Sequence, residues 1–357
     1  MSVALMDAKA MNESQTILIE LYWHRDRLHT FVVTPGSPEP QAFSIPLSSA
    51  RLREYVTSFQ MAFARNDAAE RESGAWMDLA TTWLEDRLGD LIRPNRRIVF
   101  VPHGTLHHVP LHLLPFNETP LAMTCPVSYC PSSTLLVDCR NRSGKLAQNG
   151  STHGLLAIGV EFEDEARMVQ NTVPGSSLWL HSERPIEKSR LLGALPDLQW
   201  LHFSGHGVFD AEDPMRSGLF LESANGQGIT LEDLRKRPSS FLTAAEISAS
   251  RMNAALVTLS ACETAQTQDL PGDELLGLIR AFFLAGTAAV LVSFWPVPAE
   301  PTQDFMRYFY GELVSKQVSF SEAAQAAYVN TAKLHPDPFC WGGFALVGDG
   351  LSRWKLN

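Results

Sequence analysis

Leu198-Gln199-Trp200-Leu201-His202-Phe203-Ser204-Gly205-His206-Gly207 is the stretch on which the fold turns. Residues 198–203 are an apolar run of strand length, and they lead into an imidazole set between two glycines. A second run of the same kind, residues 254–260, leads into Ala261-Cys262-Glu263-Thr264. Ligands of open α/β sheets bind just beyond the carboxyl ends of the strands, which makes His206 and Cys262 the first candidates for chemistry. The flanking glycines predict a sharp turn at His206. Such a turn lets the backbone approach a ligand and leaves the Gly207 N–H to face an oxyanion.

Working outward, short apolar runs alternate with amphipathic stretches. Strands are predicted over 155–160 and 178–180, helices over 163–170 and 186–195. A hairpin is expected around Ala224-Asn225-Gly226, joining 219–221 to 229–231. Thr243 and Glu246 have capping-box spacing. Asp273 is expected to cap a helix whose face carries Leu275, Ile279, Phe282 and Phe283, ended by Gly286 in a left-handed conformation. A strand over 288–294 and two helices, one over 302–313 and one opened by the Ser319 to Glu322 capping box, complete the pattern. Near-continuous apolar strands between amphipathic helices mean an α/β domain, here 150–352, with a mostly parallel sheet covered on both faces.

Residues 1–145 read as an α+β supporting region. Alternation over 17–23 and 28–34 around Arg25-Asp26 predicts a hairpin. Leu52, Tyr55, Val56, Phe59 and Phe63, then Trp76, Leu79, Trp83, Leu84, Leu88 and Leu91, recur at helical spacing before a buried strand over 98–101. Polar residues over 141–151 mark the expected linker.

Composition narrows the function. The 357 residues carry 29 basic and 39 acidic side chains, a formal charge of −10. The longest basic cluster is Arg235-Lys236-Arg237, too small for a phosphate-binding face or an anionic lipid surface, so neither nucleic acid nor membrane is an expected partner. Five cysteines, Cys125, Cys130, Cys139, Cys262 and Cys340, without a CxxC pair, predict neither a disulfide framework nor structural zinc. The first residues lack the apolar run of a signal peptide, and residues 281–295 are too short to span a bilayer, so a cytoplasmic location is expected. His103, His107, His108 and His112 fall close together, but Pro102, Gly104 and Pro110 prevent a shared helix face, so no metal and no cofactor is expected.

His206 precedes Cys262 by roughly the 50 residues that separate these two residue types in caspase-type proteases. Taken alone, a cysteine in a strand is ordinarily a small core residue and a histidine in a loop a polar surface group. Wider similarity favours the catalytic reading. The ordered motifs Leu201 to Gly207, Leu259-Ser260-Ala261-Cys262-Glu263-Thr264, Asp273 to Gly286, Ser293-Phe294-Trp295-Pro296-Val297 and Trp341 to Asp349 resemble the CHAT family, caspase-like domains grouped with caspases, separases and gingipains. Val101-Pro102-His103-Gly104-Thr105-Leu106 and Val109-Pro110-Leu111 look like that family's early strand and loop, so the resemblance covers about residues 75 to 350.

The resemblance implies a caspase-like sheet and a cysteine endopeptidase with Cys262 as nucleophile and His206 as general acid and base. The backbone N–H groups of Gly207 and Cys262 would form the oxyanion hole. Alternation along the strand puts His202 and Ser204 on the face of His206, where either would orient its ring or simply pack. Ser293, Trp295, Glu263 and Glu300 are the candidate substrate contacts, with Asp269 and Asp273 as further sources of acidic charge. Family members often carry several acids after the Trp-x-Val segment, whereas Val297-Pro298-Ala299-Glu300-Pro301 keeps only Glu300. A preference for a basic residue before the cut is correspondingly weaker. The family also implies a protein substrate, a separate regulatory protein or complex, and a setting in prokaryotic antiviral defence. Relatives with duplicated units make residues 1–145 a candidate pseudo-caspase copy. The competing reading is a catalytically silent module that binds peptides in the same cleft, and a thiol hydrolase of small amides is a third.

Overall fold

Strand alternation at the start of the chain produces the expected hairpin, β1 (Thr16–His24) and β2 (Arg27–Val33). Arg25 and Asp26 take φ of 47° and 56°, the left-handed pair that a two-residue turn between twisted strands requires. The computed structural model describes residues 15–37, 39–149, 154–210, 212–224, 228–263 and 273–353. The further strands of the main sheet are β3 (Gln41–Pro46), β4 (Arg97–Val101), β5 (Val127–Tyr129), β6 (Leu155–Gly159), β7 (Ser177–Leu180), β8 (Trp200–Val208), β9 (Gly218–Phe220), β10 (Phe241–Thr243), β11 (Leu256–Glu263), β12 (Ala289–Ser293) and β13 (Phe344–Gly348).

These strands form one 13-stranded sheet in the order β10-β9-β8-β11-β12-β13-β5-β4-β1-β2-β3, with β6 paired to the first half of β8 and β7 outside β6. It consists of two parallel blocks running in opposite senses. One holds β7, β6, β8, β11 and β12, and the other β13, β5, β4 and β1. They meet where β12 lies antiparallel to β13, from Ala289↔Gly348 to Ser293↔Phe344. The mostly parallel, caspase-like α/β architecture is therefore present, and strands from both segments share it.

Helices cover both faces. In chain order they include α1 (Ser49–Phe59), α2 (Ser133–Asn149), α3 (Glu163–Thr172), α4 (Lys188–Ala194), α5 (Leu231–Lys236), α6 (Ala244–Ala249), α7 (Asp273–Ala285), α8 (Ala299–Lys316) and α9 (Phe320–Leu334). On one face the Trp200 ring meets Tyr310 of α8 and Phe320 of α9. On the other, Arg142 of α2 donates to the Phe283 and Thr287 carbonyls at the end of α7, at 2.6 and 3.1 Å. One apolar cluster runs through the whole sheet and includes Ile17, Trp83, Phe100, Trp200, Phe282, Phe305 and Tyr328.

Three local expectations need correction. Residues 219–221 do not pair with 229–231: β9 lies between β8 and β10, and Thr230 opens α5 through a capping box with Asp233. Helix capping outcompetes strand pairing there because the Thr-x-x-Asp spacing satisfies two free N–H groups at once. The linker over 141–151 is helical as far as Asn149, with Arg142 serving as a cation at the end of α7. Its polar composition marks a helix, not a loop. The turn at His206 is also absent, since β8 continues to Val208. Gly205 is closely packed: a Cβ there would stand 3.1 Å from the Phe203 ring and 3.2 Å from Val160, so those neighbours would have to shift slightly. Gly286 does end α7 with positive φ, 118°, and a Cβ would run into the Met252 carbonyl oxygen. Residues 264–272 and the side chain of Asp273, on which the expected cap depends, lie outside the described residues.

Candidate active site

Successive residues of a strand point to opposite faces, so β8 lines up Trp200, His202, Ser204 and His206 on one side of the sheet. Each has its own anchor. The Trp200 ring lies 6.1 Å from Tyr310 and 5.9 Å from Phe320. His202 Nδ1 is 3.2 Å from the Tyr310 hydroxyl, and its Nε2 is 3.1 Å from Glu165 Oε1. Ser204 donates to the Phe162 carbonyl at 3.1 Å. The Phe162 ring then meets the His206 imidazole edge-on, with centroids 5.6 Å apart. His206 keeps 7% of its surface exposed, whereas His202 keeps none.

β11 runs parallel to β8 in unbroken register from Trp200↔Leu256 to Gly207↔Glu263, and in that register His206 stands opposite Cys262. Neighbouring strands lie about 4.8 Å apart. Backbone pairing alone thus makes neighbours of two positions that are remote in sequence. Gly207, the candidate oxyanion donor, sits between Glu263 on β11 and Leu219 on β9. The side chains of residues 261–263 and the whole of Asp269 lie outside the described residues.

The remaining candidates lie at and past the end of β12. Ser293 is half-buried opposite Phe344. Trp295 is 2% exposed; its ring lies 4.6 Å from Phe63 and its Nε1 donates to the Phe339 carbonyl at 2.9 Å. Glu300 is exposed in the first turn of α8. The structure therefore gathers His206, Gly207, Cys262 and Glu263 on two adjoining strands, while Trp295 is engaged in the core against α1 and the turn that follows it.

The ring-orienting expectation is changed. His202 turns to Tyr310 and Glu165, and Ser204 donates to the carbonyl of Phe162, whose ring packs on His206. Phe162, Glu165, Thr258 and Tyr310 were not legible as site residues. Glu165 sits in an ordinary amphipathic helix, and only the register of β8 against β11 reveals Thr258 as the partner of His202.

Other thiols and imidazoles are occupied by packing. Burial pushes Cys125 up to about 11 and Cys139 up to about 12, and raises Cys130 as well, so all three are neutral thiols at physiological pH. His103 packs at the surface on Tyr22, with centroids 4.5 Å apart. His112 is buried, between the Tyr129 hydroxyl at 2.8 Å and the Gly342 carbonyl at 2.9 Å. Among the described residues, no group of three or more histidine, cysteine or acidic side chains is placed to hold a metal ion. No described helix is long and apolar enough to cross a membrane.

A mixed α/β fold built on a mostly parallel central sheet is the architecture of a caspase-like domain. Solved structures of the Saccharomyces cerevisiae separase-securin complex have this fold, with TM-scores of 0.56 and 0.57 at 11% and 12% identity; they cover 97% and 96% of this chain and 30% and 31% of theirs. At that identity the likeness is one of fold. The CHAT domain family matches residues 76–349, and the chain belongs to that family. Tetratricopeptide repeat protein 28 of Mus musculus is 36% identical over 313 residues, and the Homo sapiens protein of the same name is 25% identical over 193. These matches take in 74% and 48% of this chain, which spans only 12% and 8% of those proteins' lengths.

Proposed function

We propose that this chain is a cysteine endopeptidase acting through Cys262 and His206. The observation that carries the reading is the pairing of these two positions at the ends of adjacent parallel strands. A thiol reacts at neutral pH when a base or cation lies beside it, and His206 supplies one. The thiolate attacks the peptide carbonyl, the C–N bond breaks as His206 gives its proton to the departing amine, and water activated by His206 then releases the acyl group. The N–H groups of Gly207 and Cys262 are the proposed oxyanion donors. Glu263, Ser293 and Glu300 are the proposed substrate contacts, with Trp295 backing them from the core.

Membership of the CHAT family and the separase-like fold support this reading. Residues 1–145 are proposed to support the catalytic segment 150–352, and control by a separate protein and a setting in prokaryotic defence are proposed on the family resemblance alone. The test is a proteome-wide cleavage assay comparing the wild type with Cys262→Ala and His206→Ala. Both substitutions are expected to abolish the same set of new termini. Products that survive both leave the fold serving as a peptide-binding module.

A further inference from the structure

We infer that Glu165, His202, Thr258 and Tyr310 form a buried polar brace that holds β8 and β11 in the register pairing His206 with Cys262, which makes His202 a positioning residue for that pair. The inference rests on the cysteine chemistry proposed above. Four elements contribute one side chain each: α3, β8, β11 and α8. Glu165 is 2% exposed, and His202, Thr258 and Tyr310 are fully buried.

The hydrogen bonds fix where the protons lie. Tyr310 donates its hydroxyl proton to Thr258 Oγ1 at 2.8 Å. A phenol has one proton, so toward His202 Nδ1, 3.2 Å away, the Tyr310 oxygen is an acceptor and Nδ1 is the donor. His202 Nε2 then faces Glu165 Oε1 at 3.1 Å, a close polar contact that does not have the geometry of a hydrogen bond.

Burying four polar side chains is costly compared with an apolar set of similar volume, and the best attested return on such a cost is a specified register. The geometry here is of that kind. His202 and Thr258 are register partners, and one hydroxyl bonds to both. Sliding β11 by one residue turns Thr258 to the opposite face. Sliding it by two brings Leu256 or Ser260 opposite His202 and moves Cys262 about 7 Å away from His206. The brace lies four residues before the His206↔Cys262 pair, about 13 Å along the strands. It also reaches that pair through α3, because Phe162, the residue that caps α3, receives the Ser204 hydrogen bond and packs on His206.

The test is the rate of Cys262 alkylation by iodoacetamide in the full chain, from mildly acidic to mildly alkaline pH, read by peptide mass spectrometry with the other four thiols followed in parallel. His206→Ala sets the reference by raising the pH at which Cys262 becomes reactive. Tyr310→Phe, Thr258→Val and His202→Gln are expected to raise it too, slowing alkylation at neutral pH by roughly threefold to tenfold. Thr258→Ser, which keeps the hydroxyl, is expected to restore the wild-type profile. Cys125, Cys130, Cys139 and Cys340 are expected to keep their wild-type rates in every variant. If Tyr310→Phe and Thr258→Val leave Cys262 unchanged while His206→Ala shifts it, the brace has no positioning role and the cysteine chemistry stands. If all five thiols become reactive together, the brace serves stability alone and the inference fails. If His206→Ala shifts nothing, the cysteine reading falls and takes the inference with it.

Discussion

His112 shows how burial decides the behaviour of one titratable side chain. The Gly342 carbonyl only accepts, so Nε2 carries the proton, and Nδ1 accepts from the Tyr129 hydroxyl. Desolvation holds the ring neutral and lowers its pKa to about 4, against which the Gly342 bond pulls only partly upward. The unfolded chain titrates this group near 6.5, so below that pH it binds a proton that the folded chain refuses. The stability contributed by neutral His112 is therefore present above pH 6.5 and is lost as pH falls from about 6.5 to about 4, on the order of 3 kcal/mol in all. The melting temperature is expected to fall through that window, and His112→Gln is expected to lower the neutral-pH melting temperature while flattening the acid slope. An unchanged slope in the variant would show that other groups govern acid unfolding. The same logic sorts the cysteines: burial keeps Cys125, Cys130 and Cys139 as neutral thiols, whereas Cys262 lies on the register line of a histidine.

Helix starts are the elements most fully written in the sequence. The Thr243 and Glu246 box opens α6, and the Ser319 and Glu322 box opens α9, each with both reciprocal hydrogen bonds formed. Thr243→Ala and Ser319→Ala are each expected to cost about 1 kcal/mol, measured by urea denaturation. In both boxes the acid also pairs with a cation, Glu246 with Lys188 and Glu322 with Arg97 on β4, so its orientation depends on the cap. A loss near zero at either site would show that its cap contributes nothing to stability. Capping boxes are local, since three residues of sequence contain every partner. Strand pairing is not, which is why a turn-like Ala224-Asn225-Gly226 gave a false hairpin while the third Thr-x-x-acid spacing, at Thr230 and Asp233, opened a helix instead. Likewise, the glycines around His206 suggest a turn, whereas Gly205 lies inside β8, close against Phe203 and Val160.

Across the whole molecule, the two segments are joined where β13, near the end of the chain, lies between β12 and β5. Residues 150–352 expressed alone are expected to lack a cooperative thermal transition, because removing β5, β4 and β1 strips β13 of a neighbour and opens the shared core. A cooperative transition at the full-length temperature would show that the segment folds by itself. The sequence by itself determined the elements: the apolar runs, the helix caps, the mostly parallel α/β class and the placing of the two candidate residues, His206 and Cys262, at strand ends. These depend on contacts within a few positions, where hydrophobic periodicity and capping act. Only the tertiary structure decided that residues from both halves of the chain share one sheet, that His206 lies within a strand, and that Tyr310 and Glu165 converge on His202 beneath the candidate site. Those arrangements depend on register and on helices packed from distant parts of the chain, and no local pattern specifies which buried polar groups will find each other across a sheet.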